Sequence, residues 1–267
     1  MSIIEKIEDL KVACSDQTLA SQALASEVAG KVTAINQALA QAVEVAPKLK
    51  RTFYVDVNGS DQNDGSKGSP FKTTMRAISL IPESGVGIIY LNAGTHEFSE
   101  EVTANENITI FIFPSQGGTE LNTELKFVES RVVSDYAYVC TLWLTGGYFY
   151  ANNIKISTGL RSDNSITLSP YAAIQARYGC FVTFGSGSVD VGDYNLIANA
   201  HSWSAQADFS SVSFCYLSSI NKSGVGSLYY FEGFATLYSV MSVLDGATWS
   251  DLVKGNLAHL FNNVGLA

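Results

Sequence analysis

Four passages of this chain read as loose copies of one another, and that self-similarity limits what it can fold into. They span residues 147–154, 179–184, 206–212 and 233–240. Each is a short run of aromatic and β-branched residues bounded by Gly, Asn, Asp or Ser, the pattern of a strand with turns at its ends. Taking Phe184, Phe209 and Leu237 as equivalent gives steps of 25 and 28 residues. A unit of that size cannot bury an apolar face alone and has to stack on its neighbours. Further strand-like runs precede the copies, at 87–91, 101–104, 108–113, 125–128 and 138–144. The body, residues 83–248, therefore reads as a stacked parallel solenoid. A β-sandwich with regular turns is the alternative. Asn152, Asn153, Gly185 and Gly187 suit solenoid corners, where left-handed backbone is common.

Residues 53–82 form the expected entrance to that body. Phe53 to Val57 is a strand, and 58–69 is a loop rich in Gly, Asn, Asp and Ser. Pro70 suits a first helical turn, Phe71, Met75, Ile78 and Ile81 follow at helical spacing, and Pro82 stops the helix. A helix with one apolar face can cover the open end of a first coil. The run Tyr54-Val55-Asp56, Gly59-Ser60-Asp61, Asn63-Asp64-Gly65, Pro70-Phe71-Lys72-Thr73 and Ala77-Ile78 resembles the start of right-handed parallel β-helix proteins of the pectate-lyase-like group. That group includes many phage tailspikes and tail fibres. The strand and turn from Ile89 to His96 continue the resemblance. It implies a mainly β fold, homotrimeric, mounted on other phage tail or baseplate proteins. It also implies synthesis in a host cytoplasm and a final place in the virion.

Residues 1–47 are a different material, rich in Ala, Gln, Ser, Glu and Leu and without an aromatic residue. Ile3, Ile7, Leu10 and Cys14 alternate at steps of four and three. Leu24, Val28, Val32, Ile35, Leu39 and Val43 continue the stripe with one four-residue step too many, a stutter. Gln17 and Ser21 weaken the seam between them. Such a helix is about 65 Å long at ~1.5 Å per residue. With one narrow stripe it wants partner helices, so an oligomeric coiled coil is expected; a helix folded back on its own domain is the alternative. Pro47 is expected to end it, with 48–52 as a basic neck.

Composition narrows the function classes. Formal net charge is −9, which argues against nucleic-acid or anionic-membrane partners. Neither a basic leader with an apolar core nor a run of membrane-spanning length is present, so no export signal and no membrane insertion are expected. Cys14, Cys140, Cys180 and Cys215 lie far apart and read as reduced, mostly buried thiols. His96, His201 and His259 are scattered, and neither a metal nor a cofactor is expected.

Strong catalytic motifs are missing. The acidic and arginine-centred motifs of pectate lyases and the Asn-Thr-Asp, Asp-Asp and Gly-His-Gly strings of polygalacturonases do not occur. Glycoside cleavage needs only two carboxylates about 5–10 Å apart, and stacked coils can bring distant acids together. Asp190, Asp208 and Glu232 are the first candidates, with Asp193 and Asp245 beside them. Tyr194, Trp203, Tyr229 and Tyr230 are candidate sugar-stacking rings, apolar with polar tips. The chain thus reads as an N-terminal coiled coil, a neck, a parallel β-helix and a small cap at 249–267. The expected role is attachment to a bacterial surface, and the alternative is a tailspike depolymerase that cuts a surface polysaccharide.

Overall fold

A computed structural model describes residues 2–199, 209–231, 234–240, 242, 244–255 and 257–266. The chain divides into two compact units, Met1–Lys48 and Leu49–Ala267. The first is one helix, α1 (Ile3–Leu49). It continues two residues beyond Pro47. Proline is compatible with helical φ and removes one N–H bond, so the helix ends where strand pairing begins.

That pairing begins at once. β1 (Lys50–Val55) sets Lys50, Arg51 and Thr52 against Val86, Gly87 and Ile88. The expected neck is therefore mostly strand. A loop follows, and then α2 (Thr74–Ser79), capped by Thr73, whose hydroxyl accepts from the Arg76 N–H. The helix starts later than Pro70 because Asp61 holds the loop: its carboxylate accepts from the Lys72 and Thr73 N–H groups and from the Thr73 hydroxyl. Phe71 is buried as a bridge partner of Val55 ahead of the helix. Ala77, Ile78 and Ile81 are fully buried at this end of the core.

The solenoid then winds coil by coil. β2 (Val86–Leu91), β3 (Gly94–Phe98) and β4 (Val102–Thr103) make the first coil. β5 (Thr109–Pro114) and β6 (Thr123–Phe127) open the second. A hairpin, β7 (Glu129–Val133) and β8 (Tyr136–Val139), interrupts it before β9 (Leu142–Thr145). The third holds β10 (Tyr148–Ala151), β11 (Ile154–Thr158), a short β12 (Thr167–Leu168) beside the hairpin, and β13 (Ala172–Arg177). β14 (Cys180–Phe184), β15 (Gly187–Val191) and β16 (Asn195–Ala198) make the fourth. β17 (Phe209–Cys215), β18 (Leu217–Lys222) and β19 (Tyr229–Phe231) make the fifth. The sixth is β20 (Phe234–Val240), β21 (Leu244–Asp245), a one-turn α3 (Trp249–Leu252) and β22 (Val253–Gly255), and β23 (Leu260–Asn262) follows.

Each coil gives one strand to each of three sheets. The first sheet has the order β1-β2-β5-β10-β14-β17-β20-β23, the second β3-β6-β11-β15-β18-β21, and the third β4-β9-β13-β16-β19-β22. Pairing within these sheets is parallel, as where Phe149 lies between Ile110 and Val182. This is a parallel β-helix, and the sandwich alternative falls, because a sandwich is built from antiparallel sheets. The four sequence copies are successive strands of the first sheet, but both registers differ from the expectation. Phe184 pairs with Phe214, 30 residues on, and Val212 pairs with Leu237, 25 residues on. Coil lengths vary because the connecting loops vary, while the strand register is held by the core.

Inward residues stack like on like. One row of the first sheet runs Phe53, Ile89, Ile112, Ala151, Phe184 and Phe214. The Phe184 and Phe214 rings lie 5.5 Å apart, and Trp249 of α3 continues the contact at 6.3 Å. Each buried ring contributes about 1.5–3 kcal/mol. Asn153 (φ 58°) and Gly187 (φ 116°) turn corners in left-handed backbone. Gly187 also lies so close to Ile154 that an added Cβ would stand 2.1 Å from its carbonyl oxygen.

The tail, 249–267, is built mainly from strands after one helical turn. Thr248 caps α3 with a reciprocal bond from Asp251, but the chain returns to strand at Val253. Val253 pairs with Tyr229 and Leu260 with Ala235, so the tail extends the stack.

Candidate functional site

The alternation of each strand sends every second residue outward, so the three sheets present three different outer faces. The second sheet carries charge. One outward row is Glu97, Lys126, Ser157, Asp190, Asn221 and Asp245; its neighbour holds Thr95, Glu124 and Lys155. Lys155 Nζ lies 3.2 Å from Glu124 Oε1 and 4.0 Å from Asp190 Oδ2. Two carboxylates on one ammonium group stand within about 7 Å of each other, a span that glycoside-cleaving pairs use.

The environment of Glu124 argues against that chemistry. Partial burial pushes the Glu124 carboxyl up, but hydrogen bonds from Ser157, Lys155 and Thr95 outweigh it and leave it below the ordinary value. An acid that protonates a leaving group needs the opposite shift. Asp190 accepts from Asn221 Nδ2 at 3.4 Å and faces Lys155. These are contacts that tie neighbouring coils together. Asp208 and Glu232, the other two acids expected to take part, lie outside the described residues.

Asp193 is a corner clamp. It is buried, and its carboxylate accepts from the Arg161 N–H at 3.0 Å and the Val225 N–H at 3.1 Å, so it links three successive turns. Arg161 is spent on the same loop, donating to Asn164 and to the Ile166 carbonyl. An open hollow of about 660 Å³ lies between Leu160, Asn164 and Val225, with the Arg161–Asp193 pair in its wall.

The expected sugar-stacking rings are corrected by their burial. Tyr194 is 1% exposed and Tyr229 is 0% exposed. Tyr194 donates to Glu129, and its phenol is pushed up by burial and by that carboxylate. Tyr229 continues the inward row Leu142, Ile174 and Ile197 of the third sheet, and its hydroxyl pairs with Ser210 at 2.6 Å. Neither ring can meet a ligand. Tyr230 is half-buried on the outer side of β19, and Trp203 lies outside the described residues.

The sequence matches no family model and no curated protein. Among solved structures, the chain is similar to a pectin methylesterase from carrot, at 13% identity over 80% of this chain and 77% of that one, with a TM-score of 0.29. The fold rests instead on the strand registers described above.

The outer face of the first sheet carries a run of half-buried rings, with Phe181 exposed among them. Tyr54, Tyr90 and Phe113 form one outward row, with ring centroids 5.2 and 6.1 Å apart. Phe111 and Tyr150 form the next, at 5.9 Å, and Tyr148 and Phe181 a third. Phe111 lies 6.2 Å from Phe113 and 6.0 Å from Tyr148, so the rows touch. Sequence reading missed this patch. Its signal was present as aromatic residues at alternate positions, Phe111 and Phe113, then Tyr148 and Tyr150, but choosing which alternate set faces outward requires the register.

On α1, every described side chain from 2 to 41 is exposed. The stripe of Ile3, Ile7, Leu10, Leu24, Val28, Val32, Ile35 and Leu39 is at least 49% exposed at each position.

Proposed function

We propose that this protein is an oligomeric attachment appendage of the phage tail-fibre or tailspike type, a homotrimer assembled through α1 with the β-helix as its rigid body. The observation that carries this reading is the uncovered apolar stripe of α1. A 47-residue helix with its apolar residues in water lacks the tertiary packing from which most helical stability comes. Packing that stripe against the same stripe of other copies removes the apolar surface from water. The resemblance of residues 54–96 to the entrance of tailspike-type β-helices supports the phage assignment. The engaged carboxylates of the second sheet favour attachment over polysaccharide cleavage.

The test is molar mass by light scattering on the full chain and on Val28→Glu/Val32→Glu. Three chain masses for the wild type and one for the variant are expected, with the far-UV signal of the β-helix retained. A wild-type monomer at all concentrations refutes the assembly. Incubation with bacterial surface polysaccharide tests the rest: binding without new short oligosaccharides is expected, and chain shortening would instead establish the depolymerase.

A further inference from the structure

Three arginines, Arg131, Arg161 and Arg177, belong to the second and third coils. Two of them meet acids: Arg131 lies 3.1 Å from Glu101 and Arg161 3.8 Å from Asp193. Arg177, half-buried at the end of β13, has no carboxylate partner among the described residues. Its guanidinium carbon lies instead 4.1 Å from the centroid of the Trp143 ring, and its Nε is buried without a hydrogen-bond partner. The chain has 25 acids against 16 lysines and arginines, yet the fold sets an indole beside this charge. A charge taken partly out of water and left without an acid is costly.

Trp143 is one end of a strip of rings. Tyr171, just ahead of β13, meets it edge-on at 5.4 Å, and Tyr138 of the hairpin lies 5.9 Å from Tyr171. Arg131 stands over Tyr138 at 5.2 Å and closes the far end. The three rings are half-buried on the outer side. Leu142, Leu144, Ile174 and Ala176, which alternate with Trp143 and Arg177 along β9 and β13, fill the core. The hydroxyls of Tyr138 and Tyr171 have no hydrogen-bond partner among the described residues. The hairpin makes the strip local, because β8 carries Tyr138 and the described residues of coils four to six hold no such insertion.

We infer that this strip binds a carboxylated sugar of a surface polysaccharide, with Arg177 taking the carboxylate and Tyr138, Trp143 and Tyr171 the sugar rings. A guanidinium matches a carboxylate through two parallel N–H donors, and stacking on an indole fixes its plane before the ligand arrives. Rings with apolar bodies and polar tips meet both the C–H faces and the hydroxyls of a sugar. Nucleic acid, another polyanion with stackable rings, is disfavoured by the net charge of −9. An acidic peptide is the competing occupant. It is less suited because the strip offers polar-tipped rings and an indole rather than aliphatic side chains to bury a peptide anchor. The inference rests on the attachment reading proposed above and narrows its ligand, but it does not depend on assembly.

Calorimetry of the full chain would compare hyaluronan and alginate, each beside its carboxyl-reduced form, with polyglutamate as the peptide control. At least tenfold weaker binding is expected for the reduced polymers and for polyglutamate. Arg177→Gln is expected to lose at least tenfold on the acidic form and to erase the preference, and Trp143→Ala to weaken both forms. Arg76→Gln, whose guanidinium lies over Phe71 at the entrance, is expected to change neither. Equal binding of acidic and reduced polymers, or of neither, overturns the inference. So does polyglutamate binding as tightly as the sugars, which would give the strip to acidic peptides. Binding of bacterial surface polysaccharide that is unchanged in Arg177→Gln and Trp143→Ala overturns it and leaves attachment standing. A chain that binds no polysaccharide at all overturns both. If Arg177→Gln misfolds, the comparison of acidic and reduced polymers on the wild type still decides.

Discussion

His96 shows how one residue sets a pH limit on the fold. It occupies an inward position of β3, at the end of the row Leu125, Ile156, Val189 and Ile220, and is 4% exposed. Its Nε2 lies 2.8 Å from the Asn92 carbonyl, so the neutral ring donates there, and Nδ1 is buried without a partner. Protonation would create a buried N–H with no acceptor. Burial accordingly lowers the His96 pKa, against smaller opposing effects of the Asn92 bond and the Asp56 carboxylate. The folded value lies below the unfolded one, near 6.5, so the unfolded chain binds the proton first. Stability is then full above about pH 6.5 and falls as pH drops from there through the folded value. His96→Leu matches the row it joins and removes the titration. In urea unfolding from pH 7.5 to 5, the wild type is expected to lose stability on acidification more steeply than the variant. Parallel curves would show that His96 is not responsible.

At the scale of the element, α1 and the first sheet teach opposite lessons. The stripe of α1 was legible directly, because helical period needs only local sequence. Cys14 belongs to that stripe, follows Leu10 by four residues, and is exposed. In a parallel, in-register coil the Cys14 side chains of neighbouring copies face one another. Mild oxidation is expected to give a disulfide-linked two-chain band on a non-reducing gel, abolished by Cys14→Ser. Cys140 and Cys180 are buried, and burial raises the Cys140 thiol to about 11, with Glu101 and Glu100 adding to the shift, which keeps it unreactive. No two-chain band under oxidation would exclude the parallel in-register arrangement. The strands of the first sheet were also legible as strands, but their outer face was not. Two of the four candidate stacking rings, Tyr194 and Tyr229, are core residues, and the outward rings of the first sheet are legible in the sequence only as strand formers.

For the whole molecule, stability and assembly are linked. A β-helix is a stack of near-neighbour contacts, with α2 at one end and β23 at the other in the described residues, and its coils stabilise one another in sequence. If the native state is a three-chain assembly, mass action makes the melting temperature depend on concentration. Each tenfold rise in chain concentration is worth roughly 1 kcal/mol per chain, or about 2–4 °C for a chain near this size. A reversible thermal scan over two decades of concentration is expected to show that slope, and its loss in Val28→Glu/Val32→Glu. A flat melting temperature in the wild type counts against assembly.

By itself the sequence determined what depends on neighbours along the chain: the long apolar-striped helix, the short strands with Gly and Asn corners, the capping segment before them, and the coil-sized repeat. Even the four copies were found in the right strands. Only the tertiary structure decided what depends on residues far apart in the chain. It set Phe184 on Phe214 rather than on Phe209, turned the neck into β1 and the tail into β22 and β23, and drew Asp190 into a ladder with Lys155 and Asn221. It buried Tyr194 and Tyr229 and left the outward rings of β5 and β10 half-buried on the outer face. The physical reason is the two-residue period of a strand: a shift of one position exchanges every inward side chain for an outward one. Local sequence leaves both choices open, and the packing of one coil on the next selects between them.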